Sequence, residues 1–465
     1  MRLMRRDGSS SARRTQNTER KKRHMAFSLN GVHVPHRKNT ADKPALRMEP
    51  PKTVVLPMSM HIGAPAKPVV KVGDLVKVGT LVAEAGGAVS APIHASVSGK
   101  VTKIADYLLS DGRTVPAVTI ESDGEMTPDE SIAPPTVTSR EELIEAVKNA
   151  GIVGLGGAGF PTHFKLNADP ERIDYLIING AECEPYVTSD TLTMVERADD
   201  MAVALEAVKT NLGIKNIIIG IENNKKKAIE SMKRLMADVS KGCTAEVKIL
   251  PSVYPQGGEK VLIYHTTGRV VPVGKLPIDV GCVVINCTTL AAIGAYLKTG
   301  MPLVEKCVTV DGGSVKSPAN VWVPIGTSMA EVFAFCGGLE TAFPKKVVYG
   351  GPMMGITVPD TSAPILKNTN AILALTDKEA KLPKTTACIR CGSCTNTCPF
   401  GINPAAIARA YQKRDAAALE ELALTACMEC GCCSFVCPAN RPLVQTNKLA
   451  KAFLKEEKAK EGNQA

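Results

Sequence analysis

Eight cysteines near the end of this 465-residue chain carry its clearest chemical signal. They form two runs with the same spacing, C-x2-C-x2-C-x3-C, and a proline follows each run. The first run is Cys388, Cys391, Cys394 and Cys398, and the second is Cys427, Cys430, Cys433 and Cys437. This spacing is typical of proteins that bind two [4Fe–4S] clusters, in which the fourth cysteine of each run ligates the other cluster.

The spacing therefore predicts which thiolates share a cluster. We assign one cluster to Cys388, Cys391, Cys394 and Cys437, and the other to Cys427, Cys430, Cys433 and Cys398. Zinc is the alternative because it also binds C-x2-C pairs, but two complete runs that each end in Cys-Pro favour iron–sulfur clusters. The ligands must be reduced thiolates, which indicates a reducing compartment. Cys432 falls outside this register, and we interpret it as a packed thiol.

A glycine-rich segment at residues 154–162 is the second candidate for chemistry. Backbone N–H groups in such a loop can bind phosphate, and a helix that begins near Pro161 would add its positive end. Lys165 could reach the same phosphate as a point charge. A tight turn explains the glycines equally well, because the sequence places a helix before the loop and common dinucleotide-binding loops follow a strand.

Four segments resemble, in the same order, the NADH-oxidising flavoprotein subunit of respiratory complex I. They are residues 154–165, 179–185, 254–260 and 286–290. The resemblance implies that these segments bind FMN and place the nicotinamide of NAD(H) over it. Two departures, Ala181 and Gly258, stand where that family has acids, and they put the NADH contacts in question more than the flavin site.

The same resemblance implies roles for individual residues. The cofactor-binding residues would be Gly154, Gly156, Gly157, Gly159, Lys165, Asn179, Gly257, Glu259 and Asn286. Glu182 and Glu184 would be the catalytic carboxylates that orient hydride transfer near the flavin. Simpler interpretations stay open: solvated loop acids for these two carboxylates, a strand-end turn residue for Asn179 and a helix-start acid for Glu259.

Outside these segments the sequence predicts a multidomain α/β protein. Short alternating strands with glycine turns over 51–135 favour a small barrel, which resembles the barrel-sandwich hybrid of lipoyl and biotinyl domains without their modifiable lysine. Alternating helices and strands over 136–300 predict an α/β domain with a parallel sheet. The remaining expected units are a β-grasp unit similar to SLBB domains at 301–345, a linker at 346–380, an α-helical two-cluster domain at 381–455 and a tail at 456–465.

The formal net charge of +10 lies in the first 52 residues, which hold 14 Lys/Arg and 4 Asp/Glu and leave 42 of each elsewhere. We interpret residues 1–50 as a disordered basic leader, with Met25 as an alternative start. Attraction to anionic lipid headgroups is the second interpretation, and no motif supports nucleic-acid binding. The most apolar run, residues 280–297, has polar residues at its centre and is too short to span a membrane, so any membrane contact would be peripheral.

The domain order over residues 30–455 resembles the RnfC family, the peripheral subunits of Rnf ferredoxin:NAD oxidoreductase complexes. The resemblance implies an enzyme subunit at the cytoplasmic face of the cell membrane, with the other subunits of an Rnf-type complex as partners and ferredoxin as an indirect redox partner. Electrons would pass between NAD(H), FMN and the two clusters while the complex moves ions. Two alternatives remain: a soluble flavin and iron–sulfur reductase similar to cobalamin reductases, and a flavin-free iron–sulfur adaptor.

Overall fold

The computed structural model describes residues 30–341 and 344–462, and its first unit is a barrel of two antiparallel sheets. The four-stranded sheet has the order Thr53–Pro57, Thr114–Ser122, Gly99–Leu108 and Leu75–Val76. The three-stranded sheet has the order Lys67–Pro68, Leu81–Glu84 and Ile93–His94. Alternate residues of the first strand, Val54 and Leu56, are fully buried between the sheets, as the two-residue period of a strand requires. The predicted barrel-sandwich unit is therefore confirmed.

The second unit is an α/β domain around a parallel four-stranded sheet. Its strand order is Thr244–Leu250, Asn216–Glu222, Tyr175–Gly180 and Cys282–Asn286. Its helices are Arg140–Asn149, Thr162–Leu166, Ser189–Glu196, Ala198–Leu212, Lys226–Val239, Glu259–Thr267 and Cys287–Thr299, with 3-10 turns at Pro170–Arg172 and Pro277–Val280. The helix Ala198–Leu212 ends at Gly213, whose φ of 62° suits glycine. The predicted parallel sheet is confirmed.

The apolar run at residues 280–297 divides between a strand and a helix. Strand Cys282–Asn286 leads directly into helix Cys287–Thr299, and the Asn286 side chain caps that helix by accepting from the backbone N–H of Thr289. Across the part of the chain that the structure describes, no helix is long and apolar enough to cross a membrane.

The third unit is a six-stranded mixed sheet that corrects two of our boundaries. Its order is Leu46–Arg47, Ala319–Pro324, Glu305–Asp311, Ala371–Leu375, Lys346–Tyr349 and Ile356–Val358, and helix Met329–Phe335 packs on it. The expected linker at 346–380 was wrong, because it supplies three of these strands. All five residues of Ala371–Leu375 are buried, and that strand pairs with Glu305–Asp311. The core of the β-grasp unit therefore extends beyond residue 345.

The expected leader at 1–50 was also too long. Val32 and Val34 are buried, and the ammonium of Lys38 donates to the carbonyls of Glu182, Glu184 and Val187. Residues 30–50 therefore belong to the folded body. The rest of the predicted leader, residues 1–29, lies outside the described residues.

The C-terminal unit is helical and contains an internal repeat. Its helices are Ser393–Asn396, Pro404–Gln412, Ala416–Glu421, Cys432–Phe435 and Leu443–Gly462, with a 3-10 turn at Leu424–Ala426. The first helix begins 39 residues before the fourth, and the second begins 39 residues before the fifth. The same 39 residues separate the two cysteine runs. The unit is thus two similar halves packed together, and its last helix continues through most of the expected tail at 456–465.

Candidate flavin site and iron–sulfur centres

The glycine-rich loop lies between helix Arg140–Asn149 and the short helix Thr162–Leu166. A hydrogen bond of 2.8 Å from the N–H of Gly154 to the carbonyl of Phe160 closes it. Its tip, Gly156 to Ala158, is exposed. Gly156 must be glycine because a Cβ there would overlap the side-chain amide of Asn286. The loop therefore presents bare backbone at the surface, with Asn286 directly behind it.

Three side chains from the β-grasp unit donate to carbonyl groups of this loop and of Gly151 just before it. The ammonium of Lys306 donates to the carbonyl of Leu155 at 2.7 Å, and the ammonium of Lys367 donates to that of Gly151 at 2.7 Å. The amide of Asn368 donates to the carbonyl of Gly157 at 2.9 Å. Both lysines are buried, and burial lowers the pKa of Lys306 to about 8 and that of Lys367 to about 7. The β-grasp unit thus fixes the loop from behind.

Lys165 and Glu259, both expected to bind cofactor, form an ion pair with each other. Lys165 Nζ lies 2.6 Å from Glu259 Oε1 and also donates to the carbonyl of Val284 at 3.1 Å. The two side chains are 31% and 39% exposed, so a ligand can reach them. Glu259 also occupies the first turn of helix Glu259–Thr267, where an acid favours the helix start.

Asn179 joins two of the predicted segments. Its amide nitrogen donates to the carbonyl of Gly257 at 2.9 Å, and its oxygen accepts from the N–H of Ala181 at 3.1 Å. A Cβ on Gly257 would overlap the carbonyl of Ala181. The structure brings these residues together, and both polar atoms of the Asn179 side chain form hydrogen bonds within the protein.

Glu182 and Asp190 form a buried acidic pair behind the loop. The Glu182 carboxylate accepts from the N–H of Asp190 at 2.8 Å and from the hydroxyl of Thr191 at 2.6 Å, and it therefore caps helix Ser189–Glu196. Asp190 accepts from Asn286 at 2.7 Å and from Thr288 at 2.6 Å. Burial is the main cause of the raised pKa of Asp190. Glu182 thus supports the site through a helix, and no feature of the sequence marked Asp190.

Glu184 binds a turn of the β-grasp unit. Its carboxylate accepts from the N–H groups of Met353 at 3.0 Å and Met354 at 2.8 Å, and a Cβ on Gly351 would overlap it. Burial raises the pKa of Glu184 to about 7. This carboxyl is therefore poised to change charge near neutral pH.

The eight cysteines of the two runs form two groups of four, which we name by their position. The outer cysteines are Cys388, Cys391, Cys394 and Cys437, and they line one cavity of about 450 Å³. The inner cysteines are Cys398, Cys427, Cys430 and Cys433. Burial and the neighbouring inner thiols raise the pKa of Cys433 to about 12. In the described residues no three His, Cys, Asp or Glu side chains surround a single-ion position; the outer cysteines instead surround a larger space.

The two runs share the same backbone turns. Arg390 and Gly392 have φ values of 58° and 78°, and the equivalent Glu429 and Gly431 have 62° and 81°. The left-handed backbone at these residues bends each cysteine run so that its cysteines face a common space. The donor set is eight thiolates in two groups of four, each with the fourth member from the other run, and it fits two [4Fe–4S] clusters. Cys432 is buried and donates towards the carbonyl of Tyr254, as expected for a packed thiol.

The inner cysteines adjoin the α/β domain, whereas part of the outer group faces solvent. The hydroxyl of Tyr254 donates to the carbonyl of Cys430 at 2.7 Å. Met428, between two inner cysteines in sequence, packs on Gly258. By contrast, Cys388 and Cys391 are exposed. The inner cysteines thus lie nearer to the α/β domain that carries the glycine-rich loop, and the outer cysteines lie nearer to the surface.

Comparisons with known proteins agree with this arrangement. Family models match consecutive parts of the chain: the RnfC barrel sandwich hybrid domain at 27–125, the Nuo51 FMN-binding domain at 147–295, the SLBB domain at 307–357 and the 4Fe-4S dicluster domain at 381–438. The RnfC protein of the Na(+)-translocating ferredoxin:NAD(+) oxidoreductase complex of Acetobacterium woodii is 43% identical over 389 residues, which cover 82% of this chain and 87% of that protein. The chain belongs to the RnfC family.

Two further RnfC relatives are similar over most of their length. The RnfC protein of the proton-translocating ferredoxin:NAD(+) oxidoreductase complex of Clostridium ljungdahlii is 42% identical over 82% of this chain and 84% of its own. That of the ion-translocating oxidoreductase complex of Rhodobacter capsulatus is 42% identical over 94% of this chain and 85% of its own. The matched FMN-binding and dicluster domains identify FMN and two [4Fe–4S] clusters as cofactors of this chain.

The residues present fit these cofactors. The exposed tip of the glycine-rich loop, where the space beside Gly157 is open, leaves room for a flavin against bare backbone. At Gly258, where the complex I family has an acid, a Cβ would overlap the terminal methyl group of Met428 of the cluster unit.

Proposed function

We propose that this chain is the electron-transfer subunit of a membrane-bound, ion-translocating oxidoreductase complex. It passes electrons between NAD(H) and two [4Fe–4S] clusters through FMN, and ferredoxin is the far redox partner. The observation that carries the proposal is the placement of the inner cysteines against the flavin domain, with Cys388 and Cys391 of the outer group at the surface. This order suits a path from the flavin to a partner protein.

FMN supplies the conversion between a two-electron hydride and single electrons. The chain's own part is to bind and orient. The exposed backbone of Gly156 and Gly157 would contact the flavin, while Lys165 and Glu259 offer charge to the phosphate or ribose groups of a bound nucleotide. Of the two predicted catalytic carboxylates, Glu184 would act from its position on the turn at Met353 and Met354. Glu182 acts as a positioning residue through the helix that it caps.

The proposal also includes location and partners. Reduced cluster thiolates belong in a reducing compartment, which supports the cytoplasmic face of the cell membrane. The other members of the complex would supply the membrane contact, so this chain would be peripheral. The names of its relatives support this assembly, since each belongs to an ion-translocating oxidoreductase or ferredoxin:NAD(+) oxidoreductase complex.

Anaerobic spectroscopy during NADH addition tests the proposal. The purified chain with reconstituted clusters and flavin should show flavin bleaching followed by the signal of reduced clusters. Bleaching without cluster reduction would show that the path between the flavin and the inner cysteines is broken. Clusters without any bound flavin would support the adaptor alternative. Full recovery in the soluble fraction of cells that contain the other members of the complex would support the reductase alternative.

A further inference from the structure

Residues 31–40, which we call the N-terminal strap, run from the cluster unit to the flavin domain. At the start of the strap, the hydroxyl of Thr397 in the cluster unit donates to the carbonyl of Gly31 at 2.7 Å. Val32 and Tyr254 exchange two backbone hydrogen bonds, at 2.8 and 3.0 Å, and both side chains belong to an apolar cluster that includes an inner cysteine. The strap therefore begins at the boundary between the two units.

Lys38, further along the strap, binds three carbonyl groups of one loop. Its ammonium donates to the carbonyls of Glu182 at 2.9 Å and Glu184 at 2.8 Å, and also to that of Val187. We call residues 182–187 the carboxylate loop, because they include both predicted catalytic carboxylates. An ammonium has three N–H donors. Burial lowers the pKa of Lys38 only to about 8, so at neutral pH one donor is present for each carbonyl.

The carboxylate loop contains a backbone conformation that needs support. Tyr186 has a φ of 69°, in the left-handed region that is unfavourable for a bulky side chain. Its N–H donates to the carbonyl of His36 at 2.9 Å, and its hydroxyl bonds with the side chains of Arg37 and Glu379. Three consecutive strap residues, 36–38, thus hold a conformation that is costly for the loop on its own.

The carboxylate loop lies where the position of its residues matters for chemistry. It follows strand Tyr175–Gly180 at the carboxyl edge of the parallel sheet, where open α/β sheets bind their ligands. The side chain of Glu182 caps helix Ser189–Glu196, and that of Glu184 binds a turn of the β-grasp unit. Lys38 fixes the backbone of the same two residues, so their placement depends on the strap as well as on their own side chains.

We propose that Lys38 is a positioning residue for hydride transfer, because it holds the carboxylate loop in the geometry in which NADH reduces the flavin. This proposal rests on the proposed function and adds a residue that lies outside the four segments that resemble complex I. In the step, one hydride passes from NADH to the flavin, which gains two electrons and one proton, and NAD+ leaves. Lys38 transfers no proton and forms no covalent bond.

The experiment compares Lys38→Met with the unmodified chain, both with FMN and reconstituted clusters. Methionine nearly keeps the length of the side chain and removes all three donors. In anaerobic stopped-flow spectroscopy, the rate constant of flavin bleaching at saturating NADH should fall by about tenfold or more, because small displacements of reacting groups have large kinetic costs. Reduction of the flavin by a photoreduced deazaflavin should be unchanged, because this one-electron reductant needs no positioned nicotinamide.

Lys209→Met is the matched control, because Lys209 is also a largely buried lysine that binds carbonyl groups. Its side chain is 12% exposed, and its ammonium donates to the carbonyls of Lys241 at 3.2 Å and Val239 at 3.5 Å. These carbonyls precede strand Thr244–Leu250, at the edge where the strands of the parallel sheet begin, opposite to the carboxylate loop. Lys209→Met should also lower stability but should keep the rate of flavin bleaching within about twofold.

Hydrogen exchange followed by mass spectrometry tests the loop without NADH. In Lys38→Met the amides of residues 181–187 should exchange at least about tenfold faster, because the loop has lost three charge-assisted hydrogen bonds. Lys209→Met should leave these amides unchanged. Lys38→Arg keeps the buried charge and replaces Lys38→Met if that variant does not fold. It should slow flavin bleaching by about threefold or more, since a planar guanidinium cannot direct a donor to each of three carbonyls.

The outcomes separate this proposal from the proposed function. Normal flavin bleaching in the Lys38 variants would overturn the positioning role, as would equal losses of rate in Lys38→Met and Lys209→Met. If NADH does not bleach the flavin of the unmodified chain, the proposed function and the role of Lys38 in hydride transfer are both refuted. Faster exchange of residues 181–187 would then show that Lys38 holds the loop for stability alone.

Discussion

Met428 packs on Gly258, and this contact joins the cluster unit to the flavin domain. A Cβ on Gly258 would overlap the terminal methyl group of Met428 and lie 3.3 Å from its sulfur. Gly258 immediately precedes helix Glu259–Thr267, and Met428 follows the inner Cys427. A side chain at position 258 would therefore have to displace the end of the Met428 side chain from this contact.

Restoring an acid at this position should separate the flavin from the inner cluster. In the Gly258→Glu variant, we expect NADH to bleach the flavin normally but to reduce the clusters at least about tenfold more slowly, because small displacements of reacting groups have large kinetic costs. Rapid-mixing spectroscopy resolves the two phases. Met428→Leu, which nearly conserves volume, is the control and should stay close to the unmodified chain. Equal cluster reduction in both variants would contradict this role of the contact.

The loop glycines should differ in what they tolerate. Gly156→Ala forces a methyl group into Asn286 and should cost about 1–3 kcal/mol of unfolding free energy through overpacking. Gly157 has open space around its Cβ position, so Gly157→Ala should leave stability almost unchanged. Both should weaken FMN binding if the flavin lies on the loop tip. Chemical denaturation and flavin fluorescence measure the two effects, and intact FMN affinity in Gly157→Ala would exclude the tip as the contact.

Lys306 should matter more for stability than an exposed lysine with a comparable bond. Lys306→Met leaves the carbonyl of Leu155 without its donor and removes the positive charge that faces the buried Asp190, so we expect a loss of about 3 kcal/mol. Lys298, half-exposed and 2.9 Å from Asp200, is the matched control. Lys298→Met should cost less than about 1 kcal/mol. Similar losses in the two variants would show that burial of the Lys306 bond has no special effect.

Glu184 should make stability fall as the pH rises towards neutrality. Its pKa is raised from 4.5 to about 7 in the folded chain, so between these values the folded state binds more protons than the unfolded state. The free energy of unfolding therefore decreases by at most about 3 kcal/mol as the pH rises across this window. Outside the window this group adds no dependence on pH. Glu184→Gln should remove the slope, whereas the exposed Glu421→Gln should keep it. Melting temperatures from pH 4 to pH 8 test this, and an unchanged slope in Glu184→Gln would assign it to another group.

Asn447 should affect the reduction potential of the inner cluster alone. Its buried amide nitrogen lies 3.4 Å from the sulfur of Cys427, and the N–H of Glu429 approaches the same sulfur. Hydrogen bonds to cluster sulfurs are one determinant of reduction potential. They stabilise the reduced cluster, because it carries more negative charge than the oxidised cluster. Asn447→Leu should therefore shift one cluster to a more negative potential. Redox titration by electron paramagnetic resonance would show one shifted and one unshifted cluster; two shifted clusters would contradict the assignment.

Sequence patterns predicted the elements whose signals are local. The spacing of the cysteine runs follows from cluster ligation, and the alternation of helices and strands over 136–300 predicted the parallel sheet that the structure contains. Strand Ala371–Leu375 was missed because a five-residue apolar run has no period of its own. Its identity depends on pairing with Glu305–Asp311, which is more than sixty residues earlier in the chain.

The supporting lysines were missed for the same reason. Lys306 meets Leu155 across 151 residues, and Lys367 meets Gly151 across 216. A lysine next to apolar residues looks like a surface side chain until the fold supplies its carbonyl partners. Family resemblance named candidate cofactor-binding residues, and only the tertiary structure shows which side chains support them.

The unequal exposure of the two similar cysteine groups implies a graded vulnerability to air. Dissolved oxygen reaches Cys388 and Cys391 directly, whereas Cys430 and Cys433 are buried. Oxidative damage should therefore begin at the far end of the electron path and proceed inwards. A chain that has lost only its outer cluster would still accept electrons from NADH and would have no outlet for them. Short exposure to air should thus abolish electron transfer through the chain before the protein unfolds.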